Sequence, residues 1–118
     1  MCKNVTQSLE KPLKNARICY NNIGNVYYNL GDCEKALKFY TKSLEIKKQT
    51  LPENHPSIAT SYNNIGSVYK RLKDYENALL SFTKAKEIYA IRYGEEHKMT
   101  IICNKCIECI KAKLQPAN

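Results

Sequence analysis

The stretch YNNIG occurs at residues 20–24 and again, letter for letter, at residues 62–66. Shifting the chain by 42 residues aligns 16–57 with 58–99 and brings many further identical residues together. They include the pairs Val26/Val68, Tyr27/Tyr69, Leu30/Leu72, Asp32/Asp74, Ala36/Ala78, Leu37/Leu79 and His55/His97. Self-similarity at a fixed period of this size is typical of repeat proteins, in which each unit packs on the next. The sequence therefore predicts a stack of two similar units.

Each unit has the spacing of a helical hairpin. Small and apolar residues recur every three to four positions, as they do along one face of a helix. In the first unit they are Tyr20, Ile23, Gly24, Tyr27 and Leu30, followed by Ala36, Leu37, Tyr40 and Leu44, and the same spacing continues to the charged Lys47. Gly31-Asp32 predicts the turn between the helices, since glycine ends helices and aspartate caps them. Gly24 and Ala36, and likewise Gly66 and Ala78, are expected to face each other across the hairpin.

The predicted fold is all-α, an α-solenoid of helix-turn-helix hairpins. Residues 5–11 (VTQSLEK) are similar to residues 40–46 (YTKSLEI), which indicates the end of a preceding second helix. A carboxylate, Glu108, takes the place of the repeated glycine, so the last helix is expected to act as a cap. The predicted divisions are an N-terminal segment at 1–15, repeats at 16–57 and 58–98, a capping helix at 99–114 and a tail at 115–118.

Composition narrows the class of protein. A chain of 118 residues makes one domain at most. The longest apolar runs are far shorter than a membrane span, and the N-terminus has no apolar signal region. The six cysteines are then expected to be reduced thiols in the cytoplasm. The net charge of +8 favours acidic partners without choosing among peptide, nucleic acid and lipid.

The order aromatic-x-x-Ile-Gly-x-x-Tyr, then Asp, then Ala-x-x-x-aromatic resembles the tetratricopeptide repeat. The residues that carry it are Tyr20, Ile23, Gly24, Tyr27, Ala36, Tyr40 and Ser43, then Tyr62, Ile65, Gly66, Tyr69, Ala78, Phe82 and Ala85. The 42-residue period and the NHPSIATSYNN junction are similar to the kinesin-light-chain type. Cys33, Ser43 and Lys73 depart from the usual residues. The resemblance implies a right-handed superhelix whose first helices line a concave groove.

Asparagine is concentrated on the face of the first helices opposite the packing stripe, which the resemblance places in the groove. Asparagine is a mediocre helix former, so such a concentration calls for a reason. One interpretation is that the amides bind the backbone of an extended peptide, and the other is that they bond to each other across helices. The candidate partner-binding residues are Asn21, Asn22, Asn25, Tyr28, Asn29, Asn63, Asn64, Ser67, Lys70, Arg71 and Lys105.

One groove chemistry of the family is the carboxylate clamp, which grips a C-terminal carboxylate with two asparagines and three basic residues. Asn25 and Asn64 match the two asparagines of that clamp. Asn21, Ile102 and Cys106 stand at the basic positions, so binding of a chaperone tail is not expected. Grooves of the kinesin-light-chain type accept acidic and aromatic peptides instead, and Lys70, Arg71 and Lys105 are expected to supply the positive charge.

The remaining candidates for chemistry point to packing. Cys103, Cys106 and Cys109 form CxxCxxC but lack the fourth ligand of an iron–sulfur motif. Their spacing spreads them around a helix, which favours core packing, with metal binding and a redox role as the alternatives. His55 and His97 recur with the repeat, as loop-stapling residues would. No spacing unites serine, cysteine or carboxylate with histidine as a catalytic group. We expect no cofactor, no metal and no enzymatic activity.

The sequence therefore predicts a non-catalytic protein-interaction module that holds an acidic peptide in its concave face. One alternative is a structural segment of a longer scaffold without a ligand of its own, and a basic nucleic-acid-binding repeat is the other. The charged residues recur on both helices of each unit, which argues against nucleic acid as the partner. No membrane association is expected. Either end-to-end self-association or membership of a longer array is expected from so short a stack.

Overall fold

The computed structural model describes the backbone of residues 2–115 and the side chains from residue 16 onward. Within that part the chain forms five helices and no strand: α1 (Cys2–Asn29), α2 (Cys33–Thr50), α3 (Pro56–Arg71), α4 (Tyr75–Tyr93) and α5 (Lys98–Leu114). Each helix packs mainly against the one before it and the one after it in the chain. This connectivity, with α1–α2 and α3–α4 as hairpins, is that of a helical solenoid.

The turns repeat with the sequence. Asp32 caps α2 by accepting a bond from the Lys35 backbone N–H (3.2 Å), and Asp74 caps α4 through Asn77 in the same way (3.3 Å). The residue before each aspartate has a positive φ, 84° at Gly31 and 64° at Lys73. Lys73 thus adopts the left-handed conformation that glycine adopts more easily. The predicted turns are confirmed, and the Lys73 departure leaves their geometry unchanged.

The recurring histidines cap the helices that follow the loops. His55 Nδ1 accepts a bond from the Ser57 backbone N–H at 3.0 Å, and His97 Nδ1 accepts one from Met99 at 3.2 Å. Pro56 stands at the first helical position of α3, where its missing N–H is not needed. The histidines therefore fix the start of α3 and α5, which explains why they recur with the repeat.

The repeated glycines make room for an aromatic ring, which corrects the expected glycine–alanine contact. A Cβ built on Gly24 would lie 2.6 Å from Tyr40 Cδ1, and one on Gly66 would lie 3.0 Å from Phe82 Cε1. The rings of Tyr40 and Phe82 belong to the second helix of each hairpin and are almost fully buried. Because glycine has no Cβ, the ring from the second helix lies directly against the backbone of the first. The two helices of each hairpin can therefore approach closely.

The packing stripe expected along α1 is also only partly buried. Gly24 is buried and Tyr20 and Tyr27 are half-buried, whereas Ile23 and Leu30 are exposed. For Ile23 the reason is that α1 has a described neighbour, α2, on one side only, whereas Leu72, the equivalent of Leu30 at the end of α3, is exposed as well. The equivalent Ile65 of α3 is buried because α2 covers it.

The two ends of the fold differ, because α5 begins 42 residues after α3 and keeps the repeat spacing, whereas α1 begins well before the first repeat. α1 runs without interruption through residues 15 and 16, where the sequence predicts the start of the first repeat. α5 begins at Lys98 and packs on α4, with Glu108 exposed on its outer side. Residues 99–114, the predicted capping helix, lie within α5.

Candidate functional site

The first cavity, here called the cationic cleft, lies between α1 and α3 with a residue of α2 at its base. Its volume is about 440 Å³. It is lined by Arg17, Ile18, Asn21, Asn22, Lys47, Pro56, Ser57 and Thr60. Two of these side chains are cations and none is acidic. The lining therefore provides positive charge together with hydroxyl and amide groups, which suits a small anionic group.

Lys47 is the buried cation of this cleft. It continues the buried stripe of α2 after Tyr40 and Leu44, and only 6% of its surface is exposed. Its ammonium donates to the Ser61 hydroxyl at 2.8 Å and to the Ser57 carbonyl at 3.2 Å. Both partners are neutral, and no carboxylate lies within 4.0 Å of it among the described side chains, where the one ion pair joins Lys35 to Asp32.

Burial disfavours the charged form of Lys47, and Arg17 adds repulsion. Both effects lower the pKa of the Lys47 ammonium below its ordinary value of 10.5. A buried cation without a counter-ion is costly, whereas an anion placed beside it would relieve both effects. The cleft is therefore electrostatically incomplete within the described part of the chain.

Arg17 is held at the rim of the cleft by the packing of α1 on α2. The Ser43 hydroxyl donates to the Arg17 carbonyl at 2.8 Å, and Arg17 Nη1 donates to Thr50 Oγ1 at 3.4 Å. The second of these bonds is long and exposed, so the guanidinium is free to turn toward a bound group. Across the cleft, the Thr60 hydroxyl and the Tyr89 hydroxyl share a bond of 2.8 Å.

The second cavity, here called the amide pocket, lies along the same two helices and measures about 180 Å³. It is lined by Asn25, Tyr28, Tyr40, Asn64 and Ser67. The Tyr40 hydroxyl donates to Asn25 Oδ1 across the hairpin. The pKa of Tyr40 is raised, first by burial and then by Tyr28, while Arg71 partly offsets the shift. Tyr40 therefore stays protonated and serves as a donor.

One amide contact links the two repeats between the cavities. Asn64 Nδ2 donates to Asn21 Oδ1 at 3.4 Å, near the upper limit for such a bond. Asn63 differs, because its side-chain oxygen is buried and has no donor within the described structure. An unsatisfied buried acceptor costs about 1–3 kcal/mol. The asparagines are thus not equivalent: one pair bonds across the helices, Asn25 holds Tyr40, and Asn63 has an unused acceptor.

The predicted basic residues lie outside both cavities. The Arg71 guanidinium stacks 3.7 Å above the Tyr28 ring and donates to the Tyr28 carbonyl near the end of α1. Arg71 therefore ties the two repeats together. Lys70, Lys105 and Asn29 are exposed and line neither cavity. Of the predicted residues, the cationic cleft brings together Asn21 and Asn22, and the amide pocket brings together Asn25, Tyr28, Asn64 and Ser67.

Sequence reasoning did not single out Arg17, Lys47, Ser57, Thr60 and Tyr40 as site residues. One signal was present, because a lysine on a buried stripe is exceptional among charged residues. Lys47 has the spacing of a core residue, and its charge is not explained by core packing. Arg17 and Thr60 carry no comparable signal, since only the assembled hairpins bring them to the same cleft.

Another cavity, of about 430 Å³, opens between the loop after α2 and the surfaces of α3 and α4. Its apolar lining includes Leu51, Ile58 and Tyr62. Its charged lining is balanced, with Lys48 and Lys84 against Glu53 and Glu87. It therefore selects no sign of charge, and the cationic cleft is the stronger candidate for a specific site.

The three cysteines of α5 separate on folding. Cys103 is fully buried in the core, Cys106 is half-buried against a second apolar cluster, and Cys109 is exposed. Burial and the neighbouring Cys106 raise the pKa of the Cys103 thiol to about 11. Among the described side chains no three histidine, cysteine or acidic residues are grouped as metal ligands. The core position of Cys103 is as the sequence predicts.

The stacked hairpins, their glycine–aromatic packing and the groove between first helices define a helical repeat protein of the tetratricopeptide type. Comparison with family models bears this out: the tetratricopeptide repeat model matches residues 16–91. The chain therefore belongs to the tetratricopeptide repeat family, whose members serve broadly as protein-interaction and scaffold modules. The predicted all-α solenoid and family are both confirmed.

Among solved structures, the chain is similar to the crystal structure of BtubC (BKLC) from P. vanneervenii. The TM-score is 0.76 at 23% identity, and the match covers 82% of this chain and 38% of that one. That neighbour is a kinesin-light-chain-like repeat protein, in keeping with the 42-residue period. A comparison with curated proteins gives no match. None of the described helices combines the length and the apolar character that crossing a membrane requires.

Proposed function

We propose that the chain is a non-catalytic interaction module of the cytoplasm that binds an extended acidic peptide along the groove between α1 and α3. The observation that carries this proposal is Lys47, which is buried at the base of an open cleft beside a second cation and has no carboxylate within 4.0 Å among the described side chains. A carboxylate entering the cleft would accept from Lys47 and Arg17. It would also remove the repulsion between them.

The amide groups extend the proposed site beyond the carboxylate. The Asn64–Asn21 contact is long enough to be exchanged for bonds to a peptide backbone, since one amide can both donate and accept. Further along, the amide pocket offers Ser67 and the edge of Tyr28. In this arrangement the cationic cleft would select the acidic side chain, and the amides would hold the main chain of an extended peptide without reading its sequence.

The test uses two labelled peptides that differ only in charge, one with aspartates around an aromatic residue and one with asparagines in their place. Binding is followed by fluorescence anisotropy. We expect the acidic peptide to bind at least tenfold more tightly, because a hydrogen bond to a charged group contributes about 1.5–3 kcal/mol. Equal binding of the two peptides would overturn the proposal.

A matched pair of variants assigns the effect to the cleft. Lys47→Met removes the buried cation, whereas Lys48→Met removes an exposed cation from the next position of the same helix. Both variants lower the net charge by the same amount, so nonspecific attraction falls equally. We expect about tenfold weaker binding for Lys47→Met and little change for Lys48→Met. Equal losses would show that only overall charge attracts the peptide.

The same assay decides between the other two interpretations. Binding of a single-stranded RNA that falls steeply with salt, with no binding of either peptide, would make the chain a nucleic-acid-binding repeat. No binding of peptide or RNA would leave a structural segment of a scaffold. Either result would overturn the acidic-peptide proposal.

A further inference from the structure

The outer face of α1 carries an apolar stripe that no described side chain covers. The stripe, here called the α1 stripe, consists of Cys19, Ile23, Val26 and Leu30, all of them exposed. The exposed fraction of Val26 is 55%. These residues follow one another every three or four positions, so they lie along one side of the helix. An apolar stripe of this kind is expected to be covered in the functional assembly.

The repeat itself shows what kind of element fits this stripe. Adding 42 and then 84 to Ile23 and Val26 gives Ile65 and Val68 in α3, and Ile107 and Ile110 in α5. All four of these residues are buried. In α3 they belong to the core shared with α2, and in α5 they pack with Ala78 and Phe82 of α4. At both places the cover is the second helix of the preceding hairpin, so the α1 stripe has the side chains for such a helix.

The chain contains a segment with the sequence of a second helix next to this stripe. VTQSLEK at 5–11 is similar to YTKSLEI at 40–46, the part of α2 that packs on α3. In the two full repeats a loop at residues 51–55 or 94–97 reverses the chain between second and first helix. No such loop separates 5–11 from the stripe, because α1 is one continuous helix from Cys2 to Asn29. The segment therefore cannot fold back on its own stripe.

We infer that the α1 stripe binds residues 5–11 of a second copy of this chain. The two α1 helices would pair antiparallel around a two-fold axis, with the second-helix segment of each copy covering the stripe of the other. This is the geometry of a domain-swapped dimer, in which an element leaves its own chain and fills the same place in the partner.

The packing of α2 on α3 gives the register of this pair. Lys47 lies opposite the turn of α3 between Ser57 and Ser61. Residues 5–11 match residues 40–46 of α2 at an offset of 35, and α1 matches α3 at the repeat offset of 42. Subtracting these offsets from Lys47 and from Ser57 and Ser61 places residue 12 opposite residues 15–19 of the partner. The two-fold axis then passes near residues 14 and 15. Residues 5–11 cover the partner from about residue 18 to residue 24, and the first turn of α1 reaches Val26.

The other end of the molecule favours a closed pair over an open chain of copies. At the positions of Tyr62, Gly66 and Tyr69, the last helix carries Asn104, Glu108 and Lys111. Glu108 and Lys111 are exposed, so this end presents a charged surface. A head-to-tail contact would bury those charges against the apolar stripe, which is unfavourable. A contact between two α1 faces instead covers the apolar stripe of each copy with the Val5 and Leu9 side of the other, and it closes at two copies.

The oligomeric state tests this inference through a matched pair of variants. Val26→Lys places a charge on the α1 stripe, and Leu80→Lys places one on an equally exposed site of α4, at 55% and 57% exposure respectively. By light scattering after size exclusion, we expect a dimer for the wild type and for Leu80→Lys, and a monomer for Val26→Lys. A wild type that stays monomeric at every concentration overturns the inference, and the face then belongs to another partner, such as a preceding repeat of a longer chain.

Two further variants test the segment and the register. Deletion of residues 2–11 removes the proposed cover and is expected to give a monomer, while a persistent dimer would overturn the swapped arrangement. Leu9 is the counterpart of the buried Leu44, and in the proposed register it lies beside Cys19 and Tyr20 of the partner, so Leu9→Cys should form a covalent dimer under mild oxidation faster than Glu34→Cys. Equal rates for these two variants would overturn the register. Circular dichroism confirms that each variant keeps its helices.

Discussion

Replacing Gly24 with alanine tests the glycine–aromatic packing that brings the helices of the first hairpin together. The added Cβ would lie 2.6 Å from Cδ1 and 2.8 Å from Cε1 of Tyr40, closer than carbon atoms can approach. The ring is almost fully buried, and its hydroxyl bonds to Asn25, so it cannot move without loss. Alanine gains about 1 kcal/mol in helix propensity over glycine. Overpacking costs about 1–3 kcal/mol, and a lost hydrogen bond about 1 kcal/mol more.

The net expectation for Gly24→Ala is a loss of about 1–3 kcal/mol in the free energy of unfolding. Gly66→Ala is the matched control, because its Cβ would meet the Phe82 ring at 3.0 Å and the ring has no hydroxyl to displace. For Gly66→Ala, the gain in helix propensity roughly offsets the smaller cost of overpacking. Urea unfolding followed by circular dichroism measures both. A Gly24→Ala variant as stable as the wild type would refute the close contact with Tyr40.

Three further predictions concern single side chains. Lys47→Met should raise the free energy of unfolding by about 1 kcal/mol at pH 7, because removing a buried cation that has no carboxylate beside it among the described side chains outweighs the loss of its bonds to Ser57 and Ser61. Since folding lowers the pKa of Lys47, wild-type stability should rise with pH between that lowered pKa and 10.5, narrowing the gap to the variant in urea titrations. Arg71→Lys should lower the melting temperature by a few degrees, about 0.5–1 kcal/mol, because lysine cannot both stack on Tyr28 and bond its carbonyl; an unchanged melt would contradict this. Iodoacetamide at pH 8 should modify Cys109 long before Cys103, whose pKa is raised to about 11, as mass spectrometry would show; equal rates would contradict the buried position.

The fold was predictable because it is repeated. Two copies of one pattern fix the helices, the turns at Gly31 and Lys73, and the family, and each copy checks the other. The repeated pattern could not show which side chain of the second helix packs against each glycine. Helical spacing places Gly24 on the inner face of its helix, but the ring above it comes from Tyr40, sixteen residues away. Only the crossing of the two helices decides that an aromatic side chain rather than Ala36 fills the space.

The candidate site was less predictable, because its residues come from three helices. The asparagine face was visible as a spacing, yet spacing cannot say whether an amide bonds to a neighbour or stays free. Lys47 shows a second limit of prediction from spacing. Its position on the stripe of α2 predicts burial correctly, but burial alone does not show that its hydrogen-bond partners are neutral. That follows only from the contacts with Ser57 and Ser61.

The amide side chains and the cations of the groove have different roles. Asn25 is engaged with Tyr40, and Asn21 with Asn64, so these side chains already contribute to the fold. Replacing them with alanine would therefore lower stability and binding together. Lys47 behaves differently, since burial of its charge opposes folding and no described side chain supplies the anion that would balance it. If Lys47→Met stabilises the chain while weakening its complex, then the lysine is retained for the complex, and Lys47 is the more informative position for finding the partner.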